Sequence, residues 1–81
     1  MSEHRPQRAY TILLDPDPDD GTYTVTVPAL PGIVTQGGTI DEAIAMAHDA
    51  IALHIQGLIA HGEPVPEERE RPRIVTIHVA A

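Results

Sequence analysis

Apolar and polar residues alternate with a period of two in several short stretches, which is the pattern of half-buried β-strands. The clearest stretch is 22–27, where Tyr23, Val25 and Val27 alternate with three threonines. The same spacing predicts a strand over residues 9–14, and we expect these two strands to pair as an antiparallel hairpin.

Two more strands are predicted on either side of a long helical segment. Residues 33–36 lie between a Pro-Gly corner and a Gly-Gly break, and residues 73–79 carry Val75, Ile77 and Val79 on one side. The predicted order of elements is therefore β-β-β-α-β.

The apolar spacing changes to that of a helix over residues 40–61. Thr39 is placed to cap the N-terminus of this helix, and Glu42 completes a capping box. Gly62 suits the position just after the helix, where a left-handed backbone is common. A broad apolar stripe is expected to cover the sheet, formed by Ile40, Ala43, Ile44, Ala47, Ile51, Ile55, Leu58 and Ile59.

Together these elements predict an α+β domain with one helix on one face of a four-stranded mixed sheet in the order 3-2-1-4. The last strand is expected to return beside the first and parallel to it, through a right-handed connection. Residues 1–8 are predicted to be a flexible N-terminal lead-in, and residues 9–81 a single domain.

A second apolar strip runs along the helix beside the stripe that faces the sheet. It contains Met46, Ala50, Leu53 and Gly57. Because a chain of 81 residues buries only a modest core, we expect this strip to mediate self-association into a dimer or tetramer. The alternative is that its alanines are exposed and simply favour the helix.

Charge and composition narrow the classes of function. A net charge of −7 argues against direct binding of nucleic acid and suits a basic protein partner. Ser2 is the single serine and cysteine is absent, so nucleophilic catalysis has almost no candidate residue. No signal peptide and no apolar run of about 20 residues is visible, so we expect a cytoplasmic protein that does not enter a membrane.

The candidates for a metal site are weak. His48, His54 and His61 lie on the helix, but their spacings of six and seven do not put two ligands on one face. The acidic residues 15–20 lack the pattern of a calcium loop, and a solvated turn is the better interpretation. We expect no metal, no cofactor and no enzymatic activity.

Residues 23–43 read YTVTVPALPGIVTQGGTIDEA, and the helix is followed by Gly-Glu-Pro-Val-Pro at residues 62–66. In these motifs the chain resembles the N-terminal domain of the HicB family of antitoxins, over residues 10–79. The resemblance implies a partial ribonuclease-H-like fold, which agrees with the predicted order of elements. It also implies a partner: a small basic toxin, HicA, that cleaves mRNA and whose active site the antitoxin covers.

The chain departs from the family pattern in three respects. Ala29 and Gly38 stand where many members carry an acidic residue. Full antitoxins usually add a C-terminal DNA-binding domain, whereas this sequence ends at Ala81, so direct repression through DNA is not expected of it. In agreement with the family, residues 10–14 offer none of the carboxylates with which true ribonucleases of this fold hold metal on the first strand, which fits a binding protein.

The leading hypothesis is an antitoxin-like protein that sequesters a HicA-type toxin. The expected toxin contacts lie in the acidic loop and in the Pro-Gly corner: Asp17, Asp19, Asp20, Pro28, Leu30 and Gly32. Two alternatives stay open, namely a solitary oligomeric scaffold or regulator without a toxin, and a residual metal-dependent nuclease.

Overall fold

Three strands and one helix make up the fold in the computed structural model, which describes residues 8–80. The strands are β1 (Leu13–Pro16), β2 (Tyr23–Thr26) and β3 (Val34–Gly37), and the helix is α1 (Ile40–Ala60). The strands form an antiparallel sheet in the order β1-β2-β3. The predicted α+β class, the first three strands and the helix are confirmed, although β1 lies later in the chain than the predicted residues 9–14.

Pairing of β2 with both neighbours decides which residues face the helix. Val25 lies opposite Leu14 on β1 and Thr35 on β3. Val25 is fully buried together with Ala43 and Ala47 of the helix. A second buried cluster lies past the end of β2, formed by Val27, Leu30 and Ile33 with Tyr10, Ile12, Ala50 and Ile51 packed against it.

The helix contacts the sheet through small residues. A Cβ atom on Gly37 would lie 2.9 Å from the Cβ of Ala43, so the helix can approach β3 this closely only because residue 37 is glycine. Ala43 and Ala47 are the buried residues of the helix.

The prediction that the whole broad apolar stripe of the helix covers the sheet is wrong. Ile40, Ile44 and Ile59 are about half exposed. The reason is one of size, because four-residue strands span about 13 Å whereas a 21-residue helix is about 32 Å long. The sheet therefore buries the face of the helix that carries Ala43 and Ala47, and Ile51 packs on the second cluster past the end of β2.

Both ends of the helix are capped as the sequence predicts. The Thr39 hydroxyl accepts a hydrogen bond from the Glu42 amide (3.1 Å), and the Glu42 carboxylate accepts one from the Gly38 amide (3.2 Å). At the C-terminus, Gly62 has a φ of +68°, and the amides of Gly62 and Glu63 donate to the carbonyls of Ile59 and Leu58. This pair of bonds is a Schellman motif, which ends the helix.

By length and composition alone the helix could also cross a membrane, although no apolar run of about 20 residues was expected from the sequence. Its mean hydropathy reaches 1.4 over an 18-residue window. In this structure it packs on β2 and β3, as the covering helix of a sheet does.

After the helix the chain returns to the residues that precede β1. The Tyr10 hydroxyl donates to the Pro66 carbonyl (2.5 Å), and Glu68 accepts bonds from the Thr11 amide (2.6 Å) and hydroxyl (2.7 Å). These three bonds fix residues 66–68 beside the start of the sheet.

The prediction of a fourth strand over residues 73–79, and of the order 3-2-1-4, is wrong. Residues 71–80 form no strand, and their aliphatic side chains are 75–83% exposed. Glu68 is fixed beside Thr11, so a chain that continued along β1 would place the charged residues 69–71 and Pro72 beside that strand. Proline has no amide hydrogen and could not donate a hydrogen bond to β1. The apolar residues would lie beyond the end of β1, so they extend away instead.

Candidate protein-binding site

The acidic loop between β1 and β2 is held in a fixed turn by its own carboxylates. Asp17 accepts a bond from the Asp19 amide (2.9 Å), and Asp20 accepts bonds from the Thr22 amide (3.0 Å) and hydroxyl (2.6 Å). Gly21, with a φ of +72°, closes the turn by donating to the Asp17 carbonyl (2.9 Å). The predicted turn is present from Asp17 onward, whereas Asp15 and Pro16 belong to β1.

These bonds give the three aspartates different roles. The hydroxyl and then the amide of Thr22 lower the pKa of Asp20 below its ordinary value of 3.8, so Asp20 stays charged. Asp17 and Asp20 both stabilise the loop, whereas within residues 8–80 no group donates to the carboxylate of Asp19. Asp19 is exposed and is the aspartate of the three that is free to meet a partner.

The Pro-Gly corner forms a second exposed feature. The Leu30 amide donates to the Val27 carbonyl (2.9 Å), and the Ile33 amide donates to the Leu30 carbonyl (3.0 Å). Pro28 and Gly32 are exposed. Leu30 is only 3% exposed and belongs to the core, so its side chain is not available for the contact that the sequence predicted.

The acidic loop and the corner are not brought together. They lie at opposite ends of β2: the six residue steps from Thr22 to Pro28 span about 20 Å of extended chain. One partner would have to extend along β2 to contact both.

The predicted self-association strip on the helix is mostly open to solvent. Met46 and Leu53 are 49% and 71% exposed, and a Cβ on Gly57 would meet nothing within 4 Å. Ala50 is half-buried and packs against the second core cluster. Three of the four residues therefore form a surface, and the fourth is part of the packing below it.

A groove that sequence reasoning missed runs between the helix and the residues before β1. This helix–edge groove has a volume of about 390 Å³ and is lined mainly by Tyr10, Ile12, Ile44, Ile51 and Ile55. The sequence does contain an indication of this groove, because the helix carries more isoleucine residues than three short strands can cover.

The described residues offer no metal centre. Within residues 8–80 no three His, Asp or Glu side chains lie close enough to share a metal ion. His48 Nδ1 lies 3.3 Å from the carboxylate of the neighbouring Asp49, and both side chains are exposed. Because β1 begins later than predicted, Asp15 lies on it, but Asp15 is exposed on the sheet face that points away from the helix.

Comparison with known proteins identifies the fold and the motifs. Residues 10–76 match the family described as HicB_like antitoxin of bacterial toxin-antitoxin system. The chain belongs to the HicB-like antitoxin family. The resemblance of residues 23–43 and 62–66 to this family is thereby confirmed.

Relatives from distant organisms support the HicB-like assignment. A UPF0150 protein of Thermoplasma acidophilum is 42% identical over 69 residues, which cover 85% of this chain and 96% of that relative. A UPF0150 protein of Synechocystis is 46% identical over 59 residues, which cover 73% of each.

A solved structure supports the HicB-like fold. The N-terminal domain of the Burkholderia pseudomallei antitoxin HicB superimposes with a TM-score of 0.66 at 39% identity. The superposition covers 79% of this chain and 72% of that domain. The antiparallel sheet and covering helix described above are therefore the HicB N-terminal architecture.

Proposed function

We propose that this HicB-like chain binds a small, basic HicA-type toxin and covers the active site with which that toxin cleaves mRNA. The observation that carries the proposal is the match of residues 10–76 to the antitoxin family. Membership supports an antitoxin role and a toxin partner in general. The net charge of −7 supports a basic partner in particular.

We propose the acidic loop as the first point of contact. Its backbone is held by internal hydrogen bonds, so little conformational entropy is lost when a cation approaches. Asp19 presents an uncommitted carboxylate, and Pro28 and Gly32 offer an exposed surface at the far end of β2. A basic partner that follows β2 would contact both features.

The role is one of binding, without catalysis and without direct contact to nucleic acid. The net charge of −7 repels the phosphates of nucleic acid. In the loop, Asp17 and Asp20 accept hydrogen bonds that hold the turn, which leaves Asp19 without a second carboxylate to act with in catalysis. We propose the cytoplasm as the place of action, because the mRNA substrate of such a toxin is there.

The test is capture of the tagged chain from its own cells, followed by reconstitution with whatever basic protein is captured. A stoichiometric, small, basic ribonuclease whose mRNA cleavage falls as the chain is added would support the proposal. The matched control is a charge-reversed chain, Asp19→Lys, which should inhibit less at equal folding. A captured ribonuclease that stays fully active when saturated with the chain would refute the proposal.

A second candidate is a solitary oligomeric scaffold that has kept the fold without a toxin. The observation that favours it is the apolar strip of α1, where Met46 and Leu53 are exposed. A folded bait that captures only copies of itself would select this candidate over the first. Leu53→Glu should then reduce the mass of the oligomer in solution.

A further inference from the structure

The C-terminal arm, residues 73–80, is apolar but uncovered. Ile74, Val75, Ile77 and Val79 are each at least 75% exposed. The molecule is 58 Å long and 27 Å wide in both other directions, and its radius of gyration of 15.6 Å exceeds the roughly 12 Å of a compact chain of this length. A contiguous apolar segment held away from the body is a typical interaction site.

The helix–edge groove presents the complementary surface. It is an open apolar cavity of about 390 Å³ whose walls carry Ile12, Ile44, Ile51 and Ile55. Its polar elements are few, with Arg8 and His48 among the lining residues. An extended segment with aliphatic side chains on one side, as residues 75, 77 and 79 have, matches such a groove in chemistry.

The arm is held away from the groove of its own chain. Tyr10, which lines that groove, and its chain neighbour Thr11 fix Pro66 and Glu68 through three hydrogen bonds. Eleven extended residues from 69 to 79 reach about 36 Å, which exceeds the 27 Å width of the molecule. To enter its own groove the chain would have to reverse within residues 69–73, where Pro72 stiffens the backbone.

We infer that the arm of each chain lies in the helix–edge groove of a second copy, so that two chains exchange arms. The exchange is reciprocal: each chain donates its arm to the partner and receives the partner's arm in its own groove. The assembly is therefore closed as a twofold dimer. A short connection that cannot turn back is a known cause of such exchange. Each groove is complete only when the partner copy supplies residues 73–79.

The first test is the mass of the full chain in solution, measured by sedimentation equilibrium at micromolar concentration. We expect twice the chain mass of 8.7 kDa. Ile77→Glu on the arm and Ile55→Glu in the groove should each halve the mass. Thr76→Glu is the matched control on the arm, because it points to the opposite side, and Leu53→Glu is the control on the helix; both should leave the dimer intact.

The second test identifies whose arm fills the groove. Chains with ¹³C-labelled methyl groups are mixed with unlabelled chains, and filtered NMR experiments select contacts between different chains. Intermolecular contacts between the methyl groups of Ile77 and Ile55 are expected. Circular dichroism confirms that each variant remains helical, which is expected because Ile77 lies outside the core.

Three results would overturn the inference. The first is a monomer in which Ile77 contacts Ile55 only within one chain. The second is a monomer whose arm contacts nothing. The third is an oligomer that Leu53→Glu dissociates and Ile77→Glu leaves unchanged, which would show that the helix strip and not the arm joins the copies.

Discussion

Glu68 accepts two hydrogen bonds from one residue, Thr11, through both carboxylate oxygens. The amide donates at 2.6 Å and the hydroxyl at 2.7 Å. The two residues are 57 positions apart in the chain, and the Glu68 side chain is only 4% exposed. This pair joins the segment after the helix to the segment before β1, and it determines where the C-terminal arm leaves the fold.

The Thr11–Glu68 pair makes stability depend on pH. The Thr11 amide, then its hydroxyl, and Arg71 at longer range lower the pKa of Glu68 below its ordinary value of 4.5. A lowered pKa in the folded state stabilises the fold at pH values above 4.5, and this stabilisation is lost as the pH falls through the lowered pKa. Glu68→Gln should therefore unfold at lower urea concentration than the wild type at pH 7, and the difference should shrink at pH 3. Equal differences at both pH values would contradict this origin.

Gly37 is the position where the helix and the sheet are closest, so it should tolerate no side chain. The Cβ of Gly37→Ala would lie 2.9 Å from the Cβ of Ala43 and closer still to its backbone. We expect a loss of about 1–3 kcal/mol in the free energy of unfolding, measured with urea. The control is Gly57→Ala, where a Cβ meets nothing within 4 Å and helix propensity should add up to about 1 kcal/mol. Destabilisation of similar size in both variants would argue against close packing as the cause.

Thr35 carries a buried hydroxyl that finds no hydrogen-bond partner within the described residues. It lies opposite Val25 in the row of the sheet that faces the helix. Replacement by valine removes an unsatisfied polar atom and keeps the shape, so Thr35→Val should gain about 1 kcal/mol of stability. Thr24→Val, on the outer face of the same sheet, should change stability by less than about 0.5 kcal/mol. A loss of stability in Thr35→Val would indicate that the hydroxyl is bonded after all.

The local signals in the sequence were sufficient for the elements that depend on neighbouring residues. Thr39, Glu42 and Gly62 act through hydrogen bonds within a few positions, so their spacing predicted both helix ends. Tyr23 and Val25 predicted β2 because the alternation of a strand with one buried face is also local.

What the sequence could not predict depends on contacts between distant residues. Val75 and Ile77 have the alternation of a strand, yet the Thr11–Glu68 bonds leave them beyond the end of β1. In the same way, Leu30 was predicted as an exposed contact residue of the Pro-Gly corner, but two turns fold it into the core. The helix–edge groove exists because the helix is much longer than the strands it covers, and no single sequence motif indicates this difference in length.

The role of Asp19 can be separated from that of its neighbours. The carboxylates of Asp17 and Asp20 accept hydrogen bonds that hold the loop, whereas the Asp19 carboxylate accepts none within the described residues. Asp19→Asn should leave the urea midpoint unchanged and lower the association rate with the proposed basic partner by roughly two- to tenfold at low salt, because an exposed charge acts mainly on encounter. Stopped-flow mixing at two salt concentrations measures this, and the effect should fade as salt rises.

Two further variants make the Asp19 prediction specific. Glu63→Gln removes an equal, exposed charge just after the helix and should leave the association rate close to that of the wild type. Asp20→Asn loses the charge that Thr22 holds in place, so it should lower the stability of the loop as well as the association rate. If Glu63→Gln slows association as much as Asp19→Asn does, total charge and not the acidic loop directs the encounter. If Asp19→Asn changes only the dissociation rate, the carboxylate is a buried contact of the complex and not a steering charge.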